Sequence, residues 1–149
     1  MRPMVLFSGF LGAGKTTSLR KLLGLLPSYQ VTSDVILNDY ENADLDAETL
    51  QEKVASITPL SASCACCSGL DELVNLAITA RETRSDVLLI ELNGTADPIP
   101  LLETFTLLET KLKFQPRWQV AIIDGRYFGQ RGDYDELETQ QLQTASHYI

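Results

Sequence analysis

The segment Gly9 to Thr16, GFLGAGKT, constrains this chain more than any other stretch, because it meets the spacing G-x-x-x-x-G-K-[ST] at every fixed position. It follows a predicted strand, Met4 to Ser8, and opens a predicted helix, Lys15 to Leu26. That is the context the spacing requires. Glycines let the backbone turn its amides inward around an anion, and the following helix adds partial positive charge at its N-terminus. The amides of Gly12, Ala13, Gly14 and Lys15 are expected to surround a phosphate chain. Lys15 is expected to reach the β- and γ-phosphates, the Thr16 hydroxyl to ligate magnesium, and Thr17 to contact the α-phosphate side. The alternative is a glycine-rich turn whose lysine is merely solvated.

Further along, short apolar or β-branched runs alternate with longer amphipathic stretches, which predicts an α/β fold. The expected strands are Met4 to Ser8, Val35 to Asn38, Val54 to Thr58, Val87 to Glu91 and Trp118 to Asp124. The expected helices are Lys15 to Leu26, Asp44 to Lys53, Leu70 to Arg84, Pro98 to Lys111 and Asp135 to Ala145. Near-continuous hydrophobicity in VLLIEL and VAII suits strands covered on both faces, so a mostly parallel sheet with helices on each side is expected. At 149 residues, with no linker-like tract, one domain is the expectation.

Composition narrows the partners. A net charge of −8 argues against general affinity for nucleic-acid phosphates or anionic membranes. The apolar runs are too short to cross a bilayer. The N-terminal stretch mimics a signal peptide only faintly, since Gly9, Gly12, Gly14 and Lys15 interrupt it. With no secretory signal and only three crowded cysteines, reduced thiols and a cytoplasmic location are expected.

Three further pieces follow the loop in order: NDYENADLD at Asn38 to Asp46, CACC at Cys64 to Cys67, and ELNGTADP at Glu91 to Pro98. Together with GFLGAGKTT, this combination resembles the CobW family of P-loop GTPases, which is similar to the nickel-insertion GTPases of urease and hydrogenase maturation. The resemblance spans nearly the whole chain, Pro3 to Tyr148. It implies GTP as substrate, hydrolysis to GDP and phosphate, and a role in transition-metal binding and delivery to a client protein. The family's switch acids correspond to Asp39 and Asp46, either of which would sit near magnesium directly or through water. Its E-x-x-G corresponds to Glu91, expected to orient water or stand behind the magnesium, and Gly94, whose amide would sense the γ-phosphate. Where small hydroxyl residues are usual, Asn93 stands instead. Arg81, Arg84 and Arg126 are present, but none is assignable as an arginine finger.

All three cysteines lie within four positions. Thiolates are soft ligands for zinc and related metals, and zinc normally takes four ligands. Cys64, Cys66 and Cys67 would leave one position for water, a carboxylate such as Glu41 or Asp71, or a partner's side chain, which suits an ion that must leave again. Zinc is the default, with cobalt and nickel open. Because the cysteines lie between the switch acids and the Glu91 loop, nucleotide-gated metal binding is expected. Burial as small hydrophobes and a redox pair are the alternatives. His147 has no neighbours that suggest a ligand role.

The N-K-x-D segment by which such GTPases recognise guanine does not occur in these residues. The chain is therefore expected to be the N-terminal part of a longer protein, with nearly complete phosphate contacts, impaired base recognition, and a tendency to self-associate through an exposed last strand.

Overall fold

Parallel strands cannot be joined by tight turns, so a chain of apolar strands separated by amphipathic stretches must return through helices. The computed structural model describes residues 1–37, 56–59 and 67–149, without the side chains of Ile57, Pro59, Cys67 and Ser68. Its elements run β1 (Arg2–Ser8), α1 (Lys15–Leu25) with a 3-10 turn at Leu26–Tyr29, β2 (Ser33–Leu37), β3 (Ser56–Pro59), α2 (Cys67–Ala80) and β4 (Val87–Glu91). They continue with α3 (Pro98–Leu107), α4 (Glu109–Leu112), β5 (Phe114–Ala121), a 3-10 turn at Gly132–Tyr134, α5 (Asp135–Gln143) and β6 (His147–Tyr148). The six strands form one sheet in the order β3-β2-β4-β1-β5-β6, and every pairing is parallel.

Alternation along the central strands divides the core in two. Met4, Leu6, Ile36, Leu88 and Ile90 face Leu73, Val74 and Ala77 of α2 and Leu101 and Phe105 of α3. Phe7, Val35, Leu37 and Leu89 face the other way, onto Leu19 and Leu23 of α1 and onto Ile122. All five residues of β2 and of β4 are buried. Double coverage is why both strands carry runs of apolar residues, Val35 to Leu37 and Val87 to Ile90, with polar residues only at their ends.

Several expected boundaries shift. The strand expected at Trp118 to Asp124 begins at Phe114 and ends at Ala121, because Arg2 and Phe114 pair across a register irregularity before Met4 and Arg117 resume the ladder. The helix expected over Pro98 to Lys111 breaks at Leu108, whose φ of −97° and ψ of 14° leave the helical region, and α4 then stops at Lys113 in a left-handed conformation. The helix expected at Leu70 to Arg84 starts earlier, at Cys67, and closes at Ala80, where Arg81, Glu82 and Thr83 form turns onto its last carbonyls. The expected helix at Asp44 to Lys53 lies outside the described residues.

At the end of the sheet where the strands begin, the structure reveals a polar cluster. Asp34, only 2% exposed, accepts hydrogen bonds at Oδ1 from Ser56 Oγ (2.6 Å) and at Oδ2 from Ser85 Oγ (2.5 Å), Thr83 Oγ1 and Arg2 Nη1 (3.2 Å). The Arg2 guanidinium also donates to the Ala80 carbonyl at 2.9 Å and lies 5.0 Å from the centre of the Phe114 ring. Burial alone would raise the Asp34 pKa. The hydrogen bonds from Ser56, Ser85 and Thr83, with the charge of Arg2, outweigh it and hold the carboxyl below its ordinary value.

Candidate nucleotide-binding site

In open parallel sheets ligands bind beyond the carboxyl ends of the strands, where the chain order reverses. Here β1 lies between β4 and β5, and its carboxyl end leads directly into Gly9 to Gly14. Gly9, Gly12 and Gly14 have φ of 142°, 74° and 103°, a region side chains rarely tolerate. At Gly9 the constraint is also spatial, since a Cβ would fall 2.3 Å from the Ile122 carbonyl oxygen. Gly14 is the N-cap of α1 and supplies no side-chain cap, so no cap blocks the amides of the first turn.

Lys15 is buried, and its Nζ donates to the carbonyls of Gly9 (3.0 Å) and Phe10 (3.3 Å). This arches the side chain over the loop. The merely solvated lysine of the alternative reading is not what the structure shows. Thr16, the next residue, donates from Oγ1 to Glu91 Oε1 at 2.7 Å. Glu91 is buried at the end of β4, in register with Phe7 of β1 and Leu37 of β2. A threonine hydroxyl whose proton points at a buried carboxylate leaves its oxygen lone pairs for a cation. The pair therefore fits the magnesium expected from the sequence.

The loop after β4 is ordered in part by its own residues. Asn93 Oδ1 accepts from the Thr95 amide (2.9 Å) and hydroxyl (3.0 Å), so the unexpected asparagine closes a local turn. Asp97 caps α3 by accepting from the Ile99 amide at 2.9 Å. Between them, Gly94 packs on the phosphate loop so closely that a Cβ would meet the Leu11 amide nitrogen at 2.6 Å and Leu11 Cα at 2.9 Å. Phe10 is flanked by the Arg131 guanidinium, 4.8 Å from its ring centre, and by the Tyr134 ring at 5.3 Å.

The structure thus brings Gly12, Ala13, Gly14, Lys15, Thr16, Thr17, Glu91 and Gly94 to one edge, with Thr17 exposed and Thr16 half-buried. Asp39, Asp46, Cys64 and Cys66 lie outside the described residues, and of Cys67 only its place as first residue of α2 is described. No group of three or more histidine, cysteine or acidic side chains is placed to hold a metal among the described residues. Arg81 donates to the Lys111 carbonyl and pairs with Glu82, and Arg84 follows Thr83 of the Asp34 cluster. Both therefore sit away from the phosphate loop. Arg126 follows β5 on the loop's side of the sheet, paired with Asp124 at 2.8 Å. Its hydrogen bonds, from the side chain first and the backbone amide second, lower the Asp124 pKa to about 2. His147 is exposed and contacts Ser146 Oγ at 3.0 Å. Two residues the sequence did not flag, Gln119 and Gln141, are buried beside the site. Gln119 could be suspected from its apolar neighbours in RWQVAII, whereas Gln141, within ELETQQLQT, carries no such signal.

No helix among the described residues is long and apolar enough to cross a membrane. Comparison with known proteins agrees with the geometry. The zinc chaperone YjiA of Escherichia coli is 34% identical over 108 residues, which cover 68% of this chain and 33% of that protein. Zinc-regulated GTPase metalloprotein activator 1 of Dictyostelium discoideum is 33% identical over 118 residues, 70% of this chain and 24% of that one. The chain thus spans a quarter to a third of the length of these two relatives. The crystal structure of Zn(II)-bound YjiA GTPase from E. coli superimposes with a TM-score of 0.61 at 23% identity, over 99% of this chain and 49% of that one, and shows the same fold. The pattern of the CobW/HypB/UreG nucleotide-binding domain matches residues 3–149, and this chain belongs to that family.

Proposed function

We propose that residues 1–149 form a GTPase domain that binds and hydrolyses GTP with magnesium and uses nucleotide state to control the binding and delivery of a transition metal, zinc by default. The observation that carries the reading is the junction of Lys15, Thr16 and Glu91: a lysine arched over a glycine loop, beside a hydroxyl tied to a buried carboxylate. GTP is the substrate. Amides from Gly12 to Lys15 and the Lys15 ammonium hold its phosphates, and Thr16 holds magnesium with Asp39 or Asp46 completing the ligands. Magnesium, when bound, neutralises charge on the β- and γ-phosphate oxygens. Glu91 accepts the hydrogen bond of the Thr16 hydroxyl and orients the attacking water, and the Gly94 amide responds to the γ-phosphate. Catalysis in this reading is positioning and charge stabilisation, and intrinsic hydrolysis is slow without an arginine supplied from elsewhere.

Cys64, Cys66 and Cys67 supply the metal thiolates, and the relatives named as zinc chaperones support zinc as the ion. The partners are nucleotide, metal and a client protein, and the location is the cytoplasm.

Two titrations test this. Fluorescent GDP and a nonhydrolysable GTP analogue should bind in a magnesium-dependent way and be displaced by GTP, with little preference over ATP because the N-K-x-D segment does not occur in these residues. Displacement by ATP in preference to GTP would favour an ATPase or kinase, and no binding would defeat the nucleotide reading. Zinc affinity by chelator competition should fall on Cys66→Ser and change with nucleotide. Indifference to both would remove the metal role.

A further inference from the structure

Helix α5 is attached to the body of the protein in an unusual way: its two buried residues are Glu138 and Gln141, both polar. Glu138 Oε2 accepts from the Gly129 amide at 3.3 Å. Gln141, 2% exposed, sends its side-chain Nε2 to the carbonyl oxygens of Gly94 and Ala96, each at 3.1 Å. Both acceptors belong to the loop after β4. Two converging carbonyls demand a donor, so only the nitrogen of the amide fits there. Its Oε1, also buried, has no hydrogen-bond partner among the described residues. The backbone carbonyl of Gln141 accepts in turn from Gln119 Nε2 (3.1 Å), which also donates to Ser8 Oγ (3.0 Å), the last residue of β1 before the phosphate loop.

A chain of contacts therefore runs from α5 through Gln141 to Gly94, and from Gly94 by direct backbone packing to Leu11 in the phosphate loop. Hydrogen bonds are directional and fail over a few tenths of an ångström, whereas apolar contacts slide. A helix held this way cannot keep its place if the Gly94 peptide shifts.

We propose that Gln141 is a positioning residue that fixes the Gly94 peptide against Leu11, so that the site distinguishes GTP from GDP and the position of α5 follows the nucleotide. The inference rests on the GTPase reading above. It names a residue far along the chain through which the response to the γ-phosphate reaches α5 and β6.

The test is Gln141→Met, which keeps length and removes both donors. GDP affinity should stay within about twofold, while affinity for the nonhydrolysable GTP analogue and turnover at saturating GTP should each fall about tenfold, the scale of losing such hydrogen bonds. A merely structural role would move both affinities together, and that result, or no change in either, overturns the proposal. Hydrogen exchange on the unaltered chain is independent of whether the variant folds. Amides of residues 135–143 should exchange more slowly with the GTP analogue than with GDP, and identical exchange overturns the proposal. Failure of the unaltered chain to bind either nucleotide defeats the GTPase reading, and this inference with it. That failure is recognised before any variant is made.

Discussion

The two ends of the sheet handle buried charge in opposite ways. Where the strands end, Lys15 and Glu91 are buried around a loop whose shape comes from glycine backbone, closed by a hydrogen bond from the Ala13 amide to the Phe10 carbonyl. Where they begin, Asp34 is enclosed by Arg2, Ser56, Thr83 and Ser85, so both carboxylate oxygens are bonded to side chains of the same protein. Both clusters join a charged group to hydroxyls, and only their surroundings separate them. At the Asp34 end both carboxylate oxygens face donors already in place, and the cluster closes on itself as a staple between β1, β2, β3 and the turn before β4. At the phosphate end, the donors belong to backbone that a substrate can share. A buried charge satisfied by neighbouring side chains is a fold device, and one framed by glycine amides at a helix start is a binding device.

The comparison predicts a double dissociation. Asp34→Ala should have the largest effect, lowering unfolding free energy by about 3–5 kcal/mol because the Arg2 guanidinium loses its buried counter-charge. Nucleotide affinity of the fraction still folded should be unchanged, and chemical denaturation together with nucleotide titration reads both. Lys15→Ala should do the reverse, weakening GTP binding by about 1.5–3 kcal/mol, the range for hydrogen bonds to charged groups, with little loss in melting temperature. A loss of stability equal to that of Asp34→Ala would show that Lys15 is a staple too.

A smaller effect separates the ends by pH. Because the folded-state pKa of Asp34 lies below its ordinary value, its contribution is fully present above the ordinary carboxylate range and is lost as pH falls through the folded value. Denaturation midpoints measured from neutral pH into the acid range should fall less steeply for Asp34→Asn than for the unaltered chain. Equal slopes would assign acid sensitivity to other carboxylates. The smallest effect is expected at Arg126→Ala. Its pair with Asp124 is 2.8 Å long but the arginine is 80% exposed, so solvent screening should leave the melting temperature unchanged. A tenfold loss of GTP turnover without loss of stability would instead place this arginine in the reaction.

Much of the site was legible in the sequence because its chemistry is contiguous. Glycines, lysine and threonine within one strand–loop–helix turn need only local geometry to face an anion, and β4 was recognisable from five consecutive apolar or terminal acidic residues. The boundaries that shifted did so at one long-range pairing and at local turns that no residue type marks. Phe114 joined β5 because it pairs with Arg2, and the break at Leu108 shows no proline or glycine in the sequence to announce it.

The sequence by itself determined the doubly covered α/β fold, the family and the phosphate loop, since apolar periodicity and a fixed local spacing carry that information in neighbouring residues. Only the tertiary structure decided that Thr16 meets Glu91, that Asp34 is a closed staple, and that Gln141 reaches Gly94. Each of those contacts joins residues 22 to 75 positions apart. A hydrogen bond across such a distance depends on where the sheet and helices place both partners, and no short stretch of sequence holds that information.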